Sequence, residues 1–333
     1  MKIKNDRPNP RQDYWVTLEK SGYFLAPESG CLRLSGDDRY TFLQRQTTNN
    51  LNLLQPGKAI TTILTSPTGR ILDVLILADM GEHLTALTLP AHGRNTLHYL
   101  KNRIFLMDKV DLSDKSNEFA QISLDGPASG DTLRRLGFET PRQGDEVVQV
   151  DFLGNPLTIL EKPGLVGRGF ILLVAIEKLA SLTQSLQEMG AANLSPESYH
   201  TLRVEAGLPG ADAELSEAFT PLEVGMEQAV SDNKGCYPGQ EVIARQITYG
   251  KVTQQLAGLR LAVPIETGAS LYADDKPVGK ITSTAVSPRY GLIALGVIKR
   301  PYHQVGTVLN TQAGQTGAVA RVVVAPLPFT KND

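Results

Sequence analysis

DNKGCYPGQEVIARQ, residues 232–246, holds one of only two cysteines in a chain of 333 residues. The Pro238-Gly239 pair suits positions i+1 and i+2 of a type II turn, because proline presets φ and glycine accepts a positive φ. Tyr237 and Gln240 then flank a tight reversal. QEVIARQ starts a short helix, so Cys236 lies near a helix N-terminus with Lys234 two residues before it. Both neighbours favour thiolate over thiol. The alternative is a buried structural cysteine, since free cysteine packs as a small hydrophobe.

Upstream, GCLRLSG reads as a strand and Asp37 or Asp38 as the cap of a helix through RYTFLQRQTTNN. Cys31, beside Leu32 in that strand, is expected in the core. AITTILT, the turn SPTGR, ILDVLILA and HLTALTL read as antiparallel strands, followed by a helix over GRNTLHYLKNRIF. A second pattern begins near residue 118: strand FAQISL, helix ASGDTLRRLG, strands EVVQVDF, PLTILE and GFILLVA, then helix EKLASLTQSLQEMG. Ser195 as N-cap, Pro196 at the first helical position and Gly207 at the end bound a helix over SPESYHTLRVEAG. LPGADAELSEAFTPLEVGMEQ is rich in Pro, Gly and acids and is expected as an irregular arm lying over the surface. Past Gly250, closely spaced short strands separated by turn residues are the signature of a small barrel or sandwich. The class is α+β, without regular βαβ alternation.

Composition narrows the function. With 41% hydrophobic and 20% charged residues the chain is globular, and a net charge of -2 provides no global basic field for nonspecific nucleic-acid binding. Two cysteines about two hundred positions apart make no disulfide framework and no CxxC pair. No run reaches the roughly 18 apolar residues of a membrane span, so a cytoplasmic, soluble monomer is expected. The five histidines show no metal-binding spacing, and no metal site is expected. No GxSxG elbow or phosphate loop is present, and the glycines of GLVGRGF precede a strand instead of following one. SPTGRILD places Arg70 and Asp73 three residues apart beside a turn, while Tyr199 and Arg203 share one helical face. With Glu205 they could line a site for a planar ligand carrying carboxylates. Taken singly, each also fits a surface charge or a helix salt bridge.

KGCYPGQEVIAR closely resembles the K-G-C-Y-x-G-Q-E signature of the folate-binding YgfZ proteins, which are relatives of the glycine-cleavage T-protein. LSGDDRYTFLQRQTTNNL is similar to that family's G-x-D-x-x-x-F-L-Q-x-Q-x-T stretch, and LTSPTGRILDVLIL and LRVEAGLPG add to the resemblance. It implies a three-domain, T-protein-like ring around a central channel. The first domain would be split (residues 20–116 plus 194–250) around an inserted ferredoxin-like α+β domain (117–193) and followed by a C-terminal β-barrel (251–330). It also implies tetrahydrofolate or a derivative in the channel, with the signature cysteine near it. The implied role is assembly or repair of iron-sulfur proteins, including enzymes that thiolate tRNA, through client proteins and without direct nucleic-acid or membrane binding. Carried over, the signature is Lys234, Gly235, Cys236, Tyr237, Gly239, Gln240 and Glu241, and Tyr199 falls where close relatives have a folate-contacting tryptophan. Cys236, Lys234 and Asp73 are then the candidates for chemistry. Tyr199, Arg203, Glu205, Arg70, Tyr237, Gln240 and Glu241 are the candidates for folate contact.

T-proteins carry G-Y-T-G-E where this chain has GLVGRGF, and a paired acid where this chain has Leu72-Asp73-Val74. They also lack a cysteine in the K-G-x-x-x-G segment. Aminomethyl transfer is therefore disfavoured. A folate-dependent accessory protein using Cys236 is the leading expectation. A tetrahydrofolate-dependent aminomethyltransferase or related C1 transferase using Asp73 is the alternative, and a protein that only stores or senses folate is a third.

Overall fold

The structure, a computed structural model, describes residues 11–313 and 318–330. Helix α1 (Gln12–Glu19) and strand β1 (Gly22–Leu25) lead into β2 (Ser29–Ser35), α2 (Arg39–Gln44), β3 (Ala59–Thr65), β4 (Ile71–Asp79), β5 (Leu84–Pro90), α3 (Gly93–Lys101) and β6 (Asp111–Asp114). Strands β2 to β6 form an antiparallel sheet in the order β3-β4-β5-β2-β6. Alternate residues such as Leu75 and Leu77 point to one face of it and pack with Phe42 of α2 and Leu100 of α3. Asp38 does precede α2, but its carboxylate accepts the Lys109 amide at 2.9 Å and none of the helix's own.

The next stretch holds β7 (Phe119–Asp125), α4 (Ser129–Arg135), β8 (Val147–Phe152), β9 (Asn155–Pro163), β10 (Arg168–Ala175), α5 (Leu179–Glu188) and β11 (Ala192–Asn193). The middle domain, expected as ferredoxin-like, is a mixed sheet in the order β11-β1-β7-β10-β9-β8, so β1 joins it from far upstream. One face is covered by α4 and α5 through Leu133, Leu182 and Leu186. The other meets the first sheet through Cys31, Ala78, Leu87, Leu160, Ile171 and Leu173. Cys31 is thus core, and burial pushes its thiol up to about 12.

Helix α6 (Pro196–Ala206) starts where Ser195 accepts the Ser198 amide at 3.2 Å and stops at Gly207 with φ 70°. Helix α7 (Gln240–Thr248) precedes β12 (Gln254–Leu261), β13 (Ser270–Ala273), β14 (Lys276–Ser287), β15 (Gly291–Lys299), β16 (Val308–Ala313) and β17 (Ala318–Ala325). These six strands close into a barrel in the order β12-β15-β14-β13-β16-β17, which leaves no sheet edge. The fold is α+β in three packed units.

The arm between α6 and α7 is irregular, as its composition predicts, but it does not lie over the surface. Leu215, Phe219, Val224 and Ala229 are buried with Ile63 and Ile71 of the first sheet and Val297 of the barrel. Apolar residues scattered through the acid-rich stretch wedge it between the two units, and burying Leu215, Phe219 and Val224 is worth roughly 1.5–3 kcal/mol each.

Candidate functional site

The reversal at Tyr237–Gln240 has the geometry its sequence demands. The Gln240 amide donates to the Tyr237 carbonyl at 3.2 Å, and Gly239 has φ 84° and ψ 0°. Glycine is required here twice over. A Cβ at Gly239 would lie 2.5 Å from the Ser66 carbonyl oxygen and 2.7 Å from Gly69 Cα. The cysteine turn is therefore pressed backbone to backbone against the SPTGR turn between β3 and β4. Thr65 Oγ1 locks the contact by donating to the Pro238 carbonyl at 2.6 Å.

Two further anchors hold the approach to this turn. Tyr237 is buried with Leu222 and Ile243, and burial pushes its phenol up to about 12. Lys234 donates from Nζ to the Asn49 carbonyl at 2.7 Å and to the Thr47 carbonyl, so it ties the signature to the segment after α2. Its ammonium also sits 5.1 Å from the Tyr237 ring centroid. No carboxylate pairs with it among the described residues, and burial lowers its pKa to about 8. Between these fixed points Cys236 is exposed. Gln240 and Glu241 open α7, half-buried and exposed respectively.

The other expected site residues have separate surroundings. Asp73 is buried to 1% exposure under α3. One of its oxygens accepts the Val74 and Leu89 amides at 2.8 and 3.1 Å, and the other accepts Thr96 Oγ1 at 2.5 Å. Burial outweighs these bonds and raises its pKa to about 6. Arg70 donates to the Ala218 carbonyl at 3.0 Å and to Glu223 at 3.2 Å, with its side chain 38% exposed.

Arg203 and Glu205 are spent on the seam between α6 and the barrel. Arg203 pairs with buried Glu214 at 3.2 Å and donates to Ser283 of β14 at 2.8 Å. Glu205 accepts from Ser287 at 2.5 Å, from Tyr14 at 2.7 Å and from Arg289. Tyr199 stacks on Phe24 with centroids 4.1 Å apart and planes at 18°. Its phenol is pushed up to about 12 by burial and makes no hydrogen bond among the described residues.

The structure thus brings Lys234, Cys236, Tyr237 and Gln240 together with the Arg70 turn. Tyr199, Arg203, Glu205 and Asp73 are held by other partners. Sequence reasoning missed α1, whose Tyr14 fixes Glu205. The signal for it was the i,i+4 pair Tyr14 and Leu18, which belong with Tyr199 to one apolar cluster.

Comparison with known proteins agrees with this architecture. The GCVT N-terminal domain family matches residues 7–234, and the glycine cleavage T-protein C-terminal barrel domain family matches residues 254–331. A chloroplastic "putative transferase" of Arabidopsis thaliana is 33% identical over 88% of this chain and 68% of its own length. An aminomethyltransferase of Oceanobacillus iheyensis is 28% identical over 96% of this chain and 90% of its own. The crystal structure of glycine cleavage system aminomethyltransferase T from Bartonella henselae superposes with a TM-score of 0.83 at 20% identity, covering 96% of this chain and 89% of that one. That likeness is one of fold.

Proposed function

The chain belongs to the glycine cleavage T-protein family, and from that premise we propose that it is a folate-binding accessory protein of the YgfZ type. In this reading exposed Cys236 serves the assembly or repair of iron-sulfur client proteins, including tRNA-thiolating enzymes, in the cytoplasm. One observation carries the reading: Lys234, Tyr237 and Gly239 are all fixed by packing or hydrogen bonds while the thiol between them faces solvent. A turn so constrained around an exposed sulfur suits presentation of that sulfur to a partner.

Tetrahydrofolate, when bound, would supply a one-carbon carrier. The unbonded phenol of Tyr199, the half-exposed guanidinium of Arg70 and the Gln240 amide retain the aromatic and polar groups a reduced folate needs. Arg203 and Glu205 fit a structural role at the barrel seam instead, since their charges are already paired.

Aminomethyl transfer, the activity named for several relatives, is the second reading. It would require Asp73 to act on substrate, yet its oxygens are taken up by Val74, Leu89 and Thr96 beneath α3. Complementation separates the two. In a strain lacking this protein, wild type should restore iron-sulfur enzyme activity and Cys236→Ala should not. Equal rescue by both would remove the role assigned to the thiol, and turnover of an aminomethyl-lipoyl carrier to methylene-tetrahydrofolate would establish the second reading.

A further inference from the structure

A cavity of about 720 Å³ opens between the β1–β2 turn, the start of α3 and the start of α5. Its wall holds apolar side chains that nothing covers: Leu25 is 41% exposed and Ile176 49%. Gly93, Arg94 and Asn95 also line it. They open the nine-residue helix α3, which has no side-chain cap and no acid in its first turn. None of their three amides finds an acceptor among the described residues, so the helix start keeps its partial positive charge. The Arg94 side chain is exposed and makes no ion pair among the described residues.

A buried polar group faces the same space. Gln121 of β7 is 8% exposed and lines the cavity. Its Nε2 donates to the Gly30 carbonyl at 2.9 Å, which fixes the carboxamide, and its Oε1 accepts from no described residue. Gly30 also joins this group to the helix. A Cβ on Gly30 would fall 2.6 Å from Gly93 Cα, so the start of α3 rests on the residue that holds Gln121. Free donors and a single free acceptor therefore stand side by side. Two acids complete the lining. Asp114 accepts the Ser116 amide at 2.9 Å and its hydroxyl at 2.6 Å, and Glu28 is exposed without an ion pair among the described residues. They repel a polyanion such as phosphate and select a ligand with one negative charge at the helix and a cation elsewhere.

We propose that this cavity binds the C-terminal end of a peptide. The terminal carboxylate accepts from the first amides of α3 beside Arg94, and the last peptide N–H donates to Gln121 Oε1. An aliphatic last side chain covers Leu25 and Ile176, and a basic residue shortly before it meets Glu28. The volume is within the roughly 300–1,000 Å³ usual for ligand sites. No residue of the cysteine turn lines the cavity, so the site is separate from Cys236 and depends on neither the thiol nor a folate.

Calorimetric titration of the full chain with the peptide acetyl-Lys-Ala-Leu, as the free acid and as its C-terminal amide, tests this. The free acid should bind about tenfold tighter than the amide, the worth of one charge-assisted hydrogen bond. Two variants locate the site. Arg94→Glu places a carboxylate in the first turn of α3, which favours the helix while competing with the ligand for its amides. Ile176→Ser removes apolar wall at an exposed position. Both should melt no lower than wild type, and each should weaken the free acid about tenfold. No heat with the free acid, equal affinity for acid and amide, or undiminished binding by both variants would overturn the proposal.

Discussion

Replacing Gly239 with alanine should do more damage than the same change at Gly57, although the two have nearly the same φ. Gly239 has φ 84° and Gly57 φ 79°. Placing an L-residue in the left-handed region costs roughly 1–2 kcal/mol, and both variants incur it. A Cβ at Gly57 meets nothing within 4 Å, whereas at Gly239 it would fall 2.5 Å from the Ser66 oxygen, where ordinary contact begins at 3.4 Å. The two turns must then separate by about 0.9 Å, the difference between those distances. That movement stretches the Thr65–Pro238 hydrogen bond, which joins the two turns and is worth about 1 kcal/mol. Gly239→Ala should therefore lose about 2–3 kcal/mol and Gly57→Ala about 1–2 kcal/mol. Urea unfolding followed by circular dichroism reads the difference, and alkylation of Cys236 reads the local displacement. If the two variants are equally stable, and Cys236 in Gly239→Ala reacts at the wild-type rate, the backbone-to-backbone brace is wrong.

Asp73→Asn keeps acceptors for the Val74 and Leu89 amides and should change how stability depends on pH. The fold raises the Asp73 pKa from 3.8 to about 6, so the stability this group contributes is present below about pH 4 and is lost as pH rises through 6. Relative to wild type the Asn variant should gain at most about 3 kcal/mol between pH 4 and pH 7, and parallel melting curves across that range would refute the burial. Lys234→Met orphans two carbonyls and should cost about 1–3 kcal/mol at neutral pH. Because burial lowers the Lys234 pKa from 10.5 to about 8, the unfolded chain binds the extra proton between those values. Wild type should therefore gain stability relative to the Met variant as pH rises through that window. Titration with a thiol reagent should count one cysteine in the native protein and two after denaturation. Two reactive thiols in the native state would contradict the burial of Cys31.

Much of the fold was legible because its signals were local. The Pro238-Gly239 dipeptide dictated a turn whatever surrounded it, and Ser195, Pro196 and Gly207 bounded α6 from within. Past Gly250 the strand spacing pointed to a small barrel or sandwich, and the closed six-stranded barrel is the first of these. What could not be read depended on partners distant in sequence. Tyr199, Arg203 and Glu205 occupy one helix, and their spacing suggested a shared lining. Which neighbour each meets is decided by Phe24, by Glu214 with Ser283, and by Tyr14 with Arg289. Asp73 alternates in register with Leu75 and Leu77, a period-2 pattern that already aimed it toward α3. The acid-rich arm was misleading because its few apolar residues, not its average polarity, determine where it packs. Similarly, Lys234 looked like an electrostatic neighbour of Cys236, yet its ammonium is directed to the Thr47 and Asn49 carbonyls.

The most direct test of a braced, exposed thiol beside a folate is the alkylation rate of Cys236 with and without saturating tetrahydrofolate. Cys31 is buried and serves as an internal control that should not react in the native protein. The account predicts that bound tetrahydrofolate slows modification of Cys236 severalfold. An unchanged rate at a folate concentration shown by calorimetry to saturate the protein would contradict it.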